Sequence, residues 1–277
     1  MSRKSKEKRG KQEKDNKEGL GRTSNAILNR MMEDDNSRSV EGKDVLDLDT
    51  LSTQRQDRFW HALKERYQYN TSIKHGQDFL LKHVGTKLSF VIMYADLVGS
   101  TKMSMTLPAD KLVTIIRAFS YEMSSVIESY DGYVLKYVGD AVIAFFPPGL
   151  NKYLTYDKAV RCGKSMITVI KDGINPILSK DDYPELRIKI GIDEGENVVV
   201  QYGYDKSSQI DILGYTMNVA AKITSLTGPN KVSVGNNVFR LLHPNTQAEF
   251  QESLSLRDEW KFLDSETDRV YKVYTLK

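Results

Sequence analysis

From residue 87 onward the chain alternates between two hydrophobic periods. The run "KLSFVIMYAD" (87–96) is rich in β-formers and reads as a strand ending at Asp96. In "PADKLVTIIRAFSYEMSSVIESY" the spacing of Leu112, Ile115, Phe119, Met123 and Val126 puts them on one face of an amphipathic helix. "DGYVLKYV" and "AVIAFF" are two short strands joined at Gly139 and Asp140, a hairpin signal. "YDKAVRCGKSMITVIKDGI" is a second amphipathic helix, and "ELRIKIGID", "NVVVQY" and "SQIDIL" read as strands. "GYTMNVAAKI" (214–223) follows as a helix of small residues, and "KVSV" and "RVYKVYTL" add strands near the end. The order β-α-β-β-α-β predicts a ferredoxin-like α/β (α+β) sandwich with appended elements.

The pattern before residue 87 is different. Residues 1–50 have few aliphatics and no aromatics, and "MSRKSKEKRGKQEKDNKEG" mixes charges with a basic excess. Such a segment buries too little surface to offset its ordering entropy, which predicts a disordered charged arm. Its interleaved Glu and Asp argue against a specific nucleic-acid partner. Residues 51–86 regain aromatics and aliphatics with partial helical periodicity, among them Phe59, Trp60, Leu63, Tyr67, Ile73 and Phe79. That predicts a helical lead-in, either self-associating or packed on its own domain, before a main domain spanning 87–277.

Composition narrows the class. The 277 residues are 40% hydrophobic with a net charge of +3, enough for a core and too balanced to imply a polyanion partner. Cys162 is the single cysteine, which excludes an internal disulfide and a cysteine-rich metal site. No apolar run is long enough to span a bilayer and the N-terminus has no apolar signal region, so a soluble, cytoplasmic protein is expected.

A few charged residues interrupt the apolar pattern. Asp96 and Asp140 each fit a turn or capping aspartate. Taken together, two carboxylates at the ends of neighbouring strands can share a hard divalent cation such as Mg²⁺. Gly99, Ser100 and Thr101 after Asp96 fit a helix N-terminus, where free backbone N–H groups favour phosphate. Lys136 and Asp211 lie inside apolar strands, where a charge without a partner is costly. At a pocket floor the pair can read the edge of a purine ring by hydrogen bonds. Asn218 and Lys222, four apart on the 214–223 helix, project from one face.

"YADLVGST", "GYVLKYVGDAVIAFF", "IKIGIDEG" and "DILGYTMNVAAKI" stand in the order and register of the class III nucleotide cyclase catalytic domain, which the chain resembles over roughly residues 87–235. The resemblance implies that Asp96 and Asp140, with the Leu97 carbonyl, bind two divalent metals, Mg²⁺ or Mn²⁺, per active site. It implies that Lys136 and Asp211 recognise adenine, since guanylate-specific relatives usually carry other residues there. Asn218 would orient the ribose, and Lys222 would stabilise the transition state. The implied reaction converts ATP to 3′,5′-cyclic AMP and pyrophosphate in a homodimer with composite sites, Asp96 and Asp140 of one subunit facing Lys136, Asp211, Asn218 and Lys222 of the other. A nucleotide-binding module without turnover and a guanylate cyclase are the alternatives. Lys222 departs from the family, whose active members usually carry arginine. Lysine keeps the charge and loses the bidentate fork, so a slow cyclase is expected. "GIDEG" departs from the usual His or Asn, Thr or Ser, Gly pattern in a structural segment. The family's phosphate-binding lysine near the C-terminus has only Lys261 as a candidate.

Overall fold

The β-rich run at 87–97 pairs along its whole length with one neighbouring strand and over Val91–Ala95 with another, and everything else is arranged around it. In the computed structural model, which describes residues 72–149, 152–181, 183–203, 205, 208–264 and 267–277, this run is strand β1 (Lys87–Leu97). The expected disordered arm (1–50) and the first part of the lead-in (51–71) lie outside the described residues. Helix α1 (Ser72–Leu81) precedes β1. After it come α2 (Ser100–Thr106), α3 (Ala109–Ser129), the hairpin β2 (Tyr133–Val138) and β3 (Ala141–Phe146), and α4 (Lys152–Thr168), which runs through a π-helical turn into α5 (Asn175–Leu178). Then follow β4 (Ile188–Gln201), β5 (Ile210–Leu213), α6 (Tyr215–Leu226), β6 (Lys231–Gly235), α7 (Asn236–Phe239), α8 (Pro244–Gln247), β7 (Phe250–Glu252) and β8 (Val273–Leu276).

The sheet order is β2-β3-β1-β4-β6-β8-β7, with β5 paired to β4 off this path. The segment β2-β3-β1-β4 is the antiparallel arrangement expected of a βαββαβ unit, and β6 adds to it in parallel with β4. The expected ferredoxin-like sandwich with appended elements is therefore the fold.

Alternation along β1 divides the sheet into two faces. Val91, Met93, Ala95 and Leu97 join the main core with Ile115, Phe119 and Met123 of α3 and Val160 and Met166 of α4. Tyr94 and Asp96 emerge, half-buried, on the opposite face. Helix α6 crosses that opposite face over β4, and glycine permits the approach. A Cβ on Gly191 would lie 2.5 Å from the Thr224 backbone nitrogen and 2.8 Å from the Ala220 carbonyl oxygen, and one on Gly195 would lie 2.4 Å from Thr216 Oγ1. The outer side of α6 buries Val219 and Ile223 against Leu254, Trp260, Tyr271 and Val273 of the C-terminal segment.

Three features differ from the sequence expectation. The two strands expected at 185–193 and 197–202 are one 14-residue strand, because Glu194, Gly195 and Glu196 pair with Val91, Phe90 and Ser89 of β1 and long-range pairing overrides their weak β preference. The expected terminal strand 269–276 shortens to Val273–Leu276, since Val270 bridges to Leu263 and the Tyr271 side chain turns inward to Asp193. Finally, β2 does not alternate regularly. Its register against β3 slips between Val134 and Lys136, leaving Leu135 as an extra, buried residue.

Candidate active site

Asp96 is the penultimate residue of β1 and sits opposite Lys189 in the antiparallel ladder with β4. Lys189 Nζ approaches Asp96 Oδ2 at 3.1 Å. Asp140 occupies the tip of the β2–β3 hairpin, next to Gly139, whose φ of 62° suits the turn. Because β3 pairs with β1 through Ala95 and Val142, the tip comes to rest beside Asp96. The Asp96 carboxyl is held above the usual carboxylate range, chiefly by burial and further by the Asp140 charge, while Lys189 pulls it down. Asp140 Oδ2 is buried with no hydrogen-bond partner among the described residues. Two neighbouring carboxylates with an orphaned oxygen suit a hard cation. Among the described residues no cluster of three or more His, Cys, Asp or Glu side chains forms.

Leu97 closes β1, buried, and Gly99 (φ 78°) turns the chain into α2 at Ser100 and Thr101, the helix start expected from "GST". The first turn of α2 leaves backbone N–H groups without intrahelical partners.

Lys136 and Asp211 are brought together within one chain. Lys136 Nζ donates to Asp211 Oδ2, and the other carboxylate oxygen accepts the Ile212 backbone N–H at 2.9 Å. The Asp211 side chain is only 7% exposed and that of Lys136 28%. The bulge at Leu135 makes this possible. With regular alternation Lys136 would share the side of Val134, which packs in the α3–α4 core. The slipped register instead sets Lys136 opposite Ile143 and returns Tyr137 to the core side, where its hydroxyl meets Ser124 Oγ at 2.7 Å. Tyr94 lies two residues before Asp96 on the same face. Burial and then the Asp211 charge push its hydroxyl pKa up, placing Tyr94 in the field of the base-reading candidates.

Asn218 and Lys222 occupy one face of α6, the first exposed and the second half-buried. Neither side chain is hydrogen-bonded or ion-paired among the described residues. Met217, Val219, Ala220 and Ile223 are buried on its other sides. Lys261 is exposed just after buried Trp260 and makes no ion pair among the described residues.

Sequence reasoning missed Lys189, Tyr94 and Gln77. Lys189 carried the same signal as Lys136, a cation inside an apolar strand, whereas Tyr94 looked like an ordinary strand aromatic. Gln77 gave no signal: its two hydrogen bonds go to Ile210, 133 residues away.

Among known proteins, a cytidylate cyclase from Escherichia coli is 25% identical over 197 residues, covering 68% of this chain and 40% of that protein. A uridylate cyclase from Burkholderia cepacia is 29% identical over 175 residues, covering 61% of this chain and 75% of that protein. The chain thus spans less than half the length of that cytidylate cyclase. Among solved structures, the adenylyl cyclase CyaB from P. aeruginosa superposes with a TM-score of 0.58 at 22% identity, covering 69% of this chain and 95% of that one. The family model described as the adenylate and guanylate cyclase catalytic domain matches residues 85–273. The chain belongs to the adenylate and guanylate cyclase catalytic domain family.

Proposed function

We propose that the chain is an adenylate cyclase, converting ATP to 3′,5′-cyclic AMP and pyrophosphate. The observation that carries this reading is that one chain forms both a carboxylate pair, Asp96 beside Asp140, and a candidate base-reading pair, Lys136 bonded to Asp211. In the reaction the ribose 3′-oxygen bonds to the α-phosphorus, the bond from that phosphorus to the pyrophosphate oxygen breaks, and the 3′-hydroxyl proton is released.

Asp96, Asp140 and the Leu97 carbonyl would hold Mg²⁺ or Mn²⁺, two ions per active site. A metal bound there would lower the pKa of the 3′-hydroxyl and neutralise charge on the phosphates. Backbone groups at Gly99, Ser100 and Thr101 receive the phosphates. Asn218 orients the ribose, and Lys222 follows the charge that develops on the transferred phosphoryl group. Lys136 donates to a ring nitrogen, and Asp211 accepts from the exocyclic amine.

The unpartnered face of Asn218 and Lys222 supports a homodimer with composite sites. Beside it, Leu213, Tyr215, Leu263 and Val270 expose apolar surface, each between 45% and 54% accessible. In the dimer the carboxylate pair of one subunit faces the base-reading pair and α6 of the other.

A second reading is a pyrimidine nucleotide cyclase. Cytosine shows the same edge as adenine, an amine beside a ring-nitrogen acceptor, so Lys136 and Asp211 accept either base and ring size must separate them. The relatives named for cytidylate and uridylate favour this reading. The deciding experiment supplies ATP, GTP, CTP and UTP in competition, with Mn²⁺ or Mg²⁺, and identifies the cyclic products by mass. Cyclic AMP as the main product supports the first reading. Cyclic CMP in its place transfers the assignment to the second, and failure to form any cyclic nucleotide overturns both.

A further inference from the structure

The helix that leads into the domain reaches both strands of the base-reading pair. On β2, which carries Lys136, α1 packs so closely that a Cβ on Gly76 would lie 2.3 Å from the Val134 carbonyl oxygen. Phe79 adds ring contacts to Tyr133 at 4.9 Å and to Phe145 of β3 at 5.7 Å. On β5, which carries Asp211, the contact is polar and specific. The Gln77 side-chain amide donates Nε2–H to the Ile210 carbonyl at 2.9 Å, and its Oε1 accepts the Ile210 N–H at 3.0 Å.

This two-bond pattern is what a neighbouring strand would supply. β5 has four residues and pairs with β4 alone, so its outer edge is open. In an antiparallel ladder successive residues turn their backbone groups alternately toward and away from the partner. Ile210 turns its N–H and C=O outward to Gln77, and the next residue is Asp211. A strand this short, paired on one side, has few bonds holding it. The glutamine closes the edge at the residue adjoining the carboxylate. Asp211 must also sit within one hydrogen-bond length of a lysine on a different strand, so small slippage of β5 would part the pair.

We propose that Gln77 is a positioning residue for base recognition, closing the open edge of β5 so that Asp211 is held against Lys136. The proposal rests on the reading of Lys136 and Asp211 as the base-reading pair. It makes α1 a brace between β2 and β5, and it gives whatever precedes residue 72 a direct mechanical route to nucleotide selectivity.

The test compares the full wild-type chain with Gln77→Met, which keeps the length of the side chain and lacks the amide, and with Gln77→Glu, which keeps only the acceptor. Two readouts are needed. Hydrogen exchange of the 208–213 backbone is expected to accelerate by about tenfold in Gln77→Met, the value of roughly one net hydrogen bond, with intermediate or equal acceleration in Gln77→Glu. In cyclisation assays with the four nucleoside triphosphates, KM for the preferred nucleotide should rise by about tenfold while kcat changes little, and discrimination against the keto-bearing base of equal ring size should fall. A purely structural glutamine would lower the melting temperature without altering base preference. Unchanged exchange at 208–213 overturns the clamp. Faster exchange with intact base preference overturns the positioning role. A wild type that cyclises all four nucleotides alike, or none, instead overturns the base-reading pair, and the exchange data then report on the clamp by themselves.

Discussion

Lys222 carries one positive charge on a flexible stem, where the resemblance to the family leads one to expect the planar fork of an arginine. Half-buried and unpaired among the described residues, it can follow a phosphate but cannot hold two oxygens at once. Lys222→Arg is therefore expected to raise kcat by about tenfold or more, and Lys222→Ala to lower it by about 10²–10³-fold, as for loss of one transition-state contact. Steady-state kinetics on both variants check this. An arginine variant no faster than wild type would mean that the lysine is fully compensated. Most of the candidate site was legible at this scale because charge is expensive in apolar surroundings: Asp96, Lys136 and Asp211 stand out in apolar strands, and Asp140 in the turn of an apolar hairpin. Lys189 was equally visible but looked like the outward residue of an alternating strand, and only the ladder register sets it opposite Asp96.

Elements are where local pattern and long-range pairing part company. The periods of β1, α3 and the hairpin were readable because each has a regular apolar face. The bulge at Leu135 was not, because three buried or half-buried residues in a row look like an ordinary strand until β3 fixes the register. That single extra residue turns Lys136 from the core side to the Asp211 side. The merging of two expected strands into β4 has the same origin, pairing to β1 across Glu194–Glu196. Glycine at 191 is dictated by α6, whose backbone lies where a side chain would begin. Gly191→Ala should destabilise the domain by about 1–3 kcal/mol through overpacking against Ala220 and Thr224. It should also displace Asn218 and Lys222, which ride on the same helix. Thermal melting and kcat, measured together, test this. A variant of unchanged stability would contradict the close approach of α6 to β4.

Across the whole domain, a buried chain of hydrogen bonds ties the catalytic-domain sheet to its C-terminal segment. Tyr271 donates its hydroxyl to Asp193 Oδ1 at 2.7 Å and accepts the Asn237 N–H at 2.9 Å, and Tyr271 itself packs on α6. Asp193 is fully enclosed, and burial pushes its pKa from 3.8 to about 7 even though the Tyr271 and Glu194 hydrogen bonds oppose the rise. The folded state therefore keeps a proton that the unfolded state has already lost between about pH 4 and pH 7. Stability should fall as pH rises through this window, by an amount on the order of a few kcal/mol, and then level off above pH 7. Asp193→Asn should flatten that part of the profile in denaturant titrations. A slope identical to wild type would remove Asp193 as its source. Among the described residues no helix is long and apolar enough to cross a membrane. The composite-site dimer has its own check at this scale. Mixing Asp140→Ala with Lys136→Ala subunits should restore activity by creating one intact site per heterodimer, whereas no recovery would place the whole site in one subunit. The most direct test of the central claim is the rate of cyclic nucleotide formation by wild type and by Asp140→Ala, with the preferred nucleotide and Mn²⁺. Wild type should release cyclic nucleotide and pyrophosphate in equal amounts, and Asp140→Ala should be slower by about 10²-fold or more while remaining folded. An Asp140→Ala protein as active as wild type, or a wild type that forms no cyclic nucleotide, would contradict it.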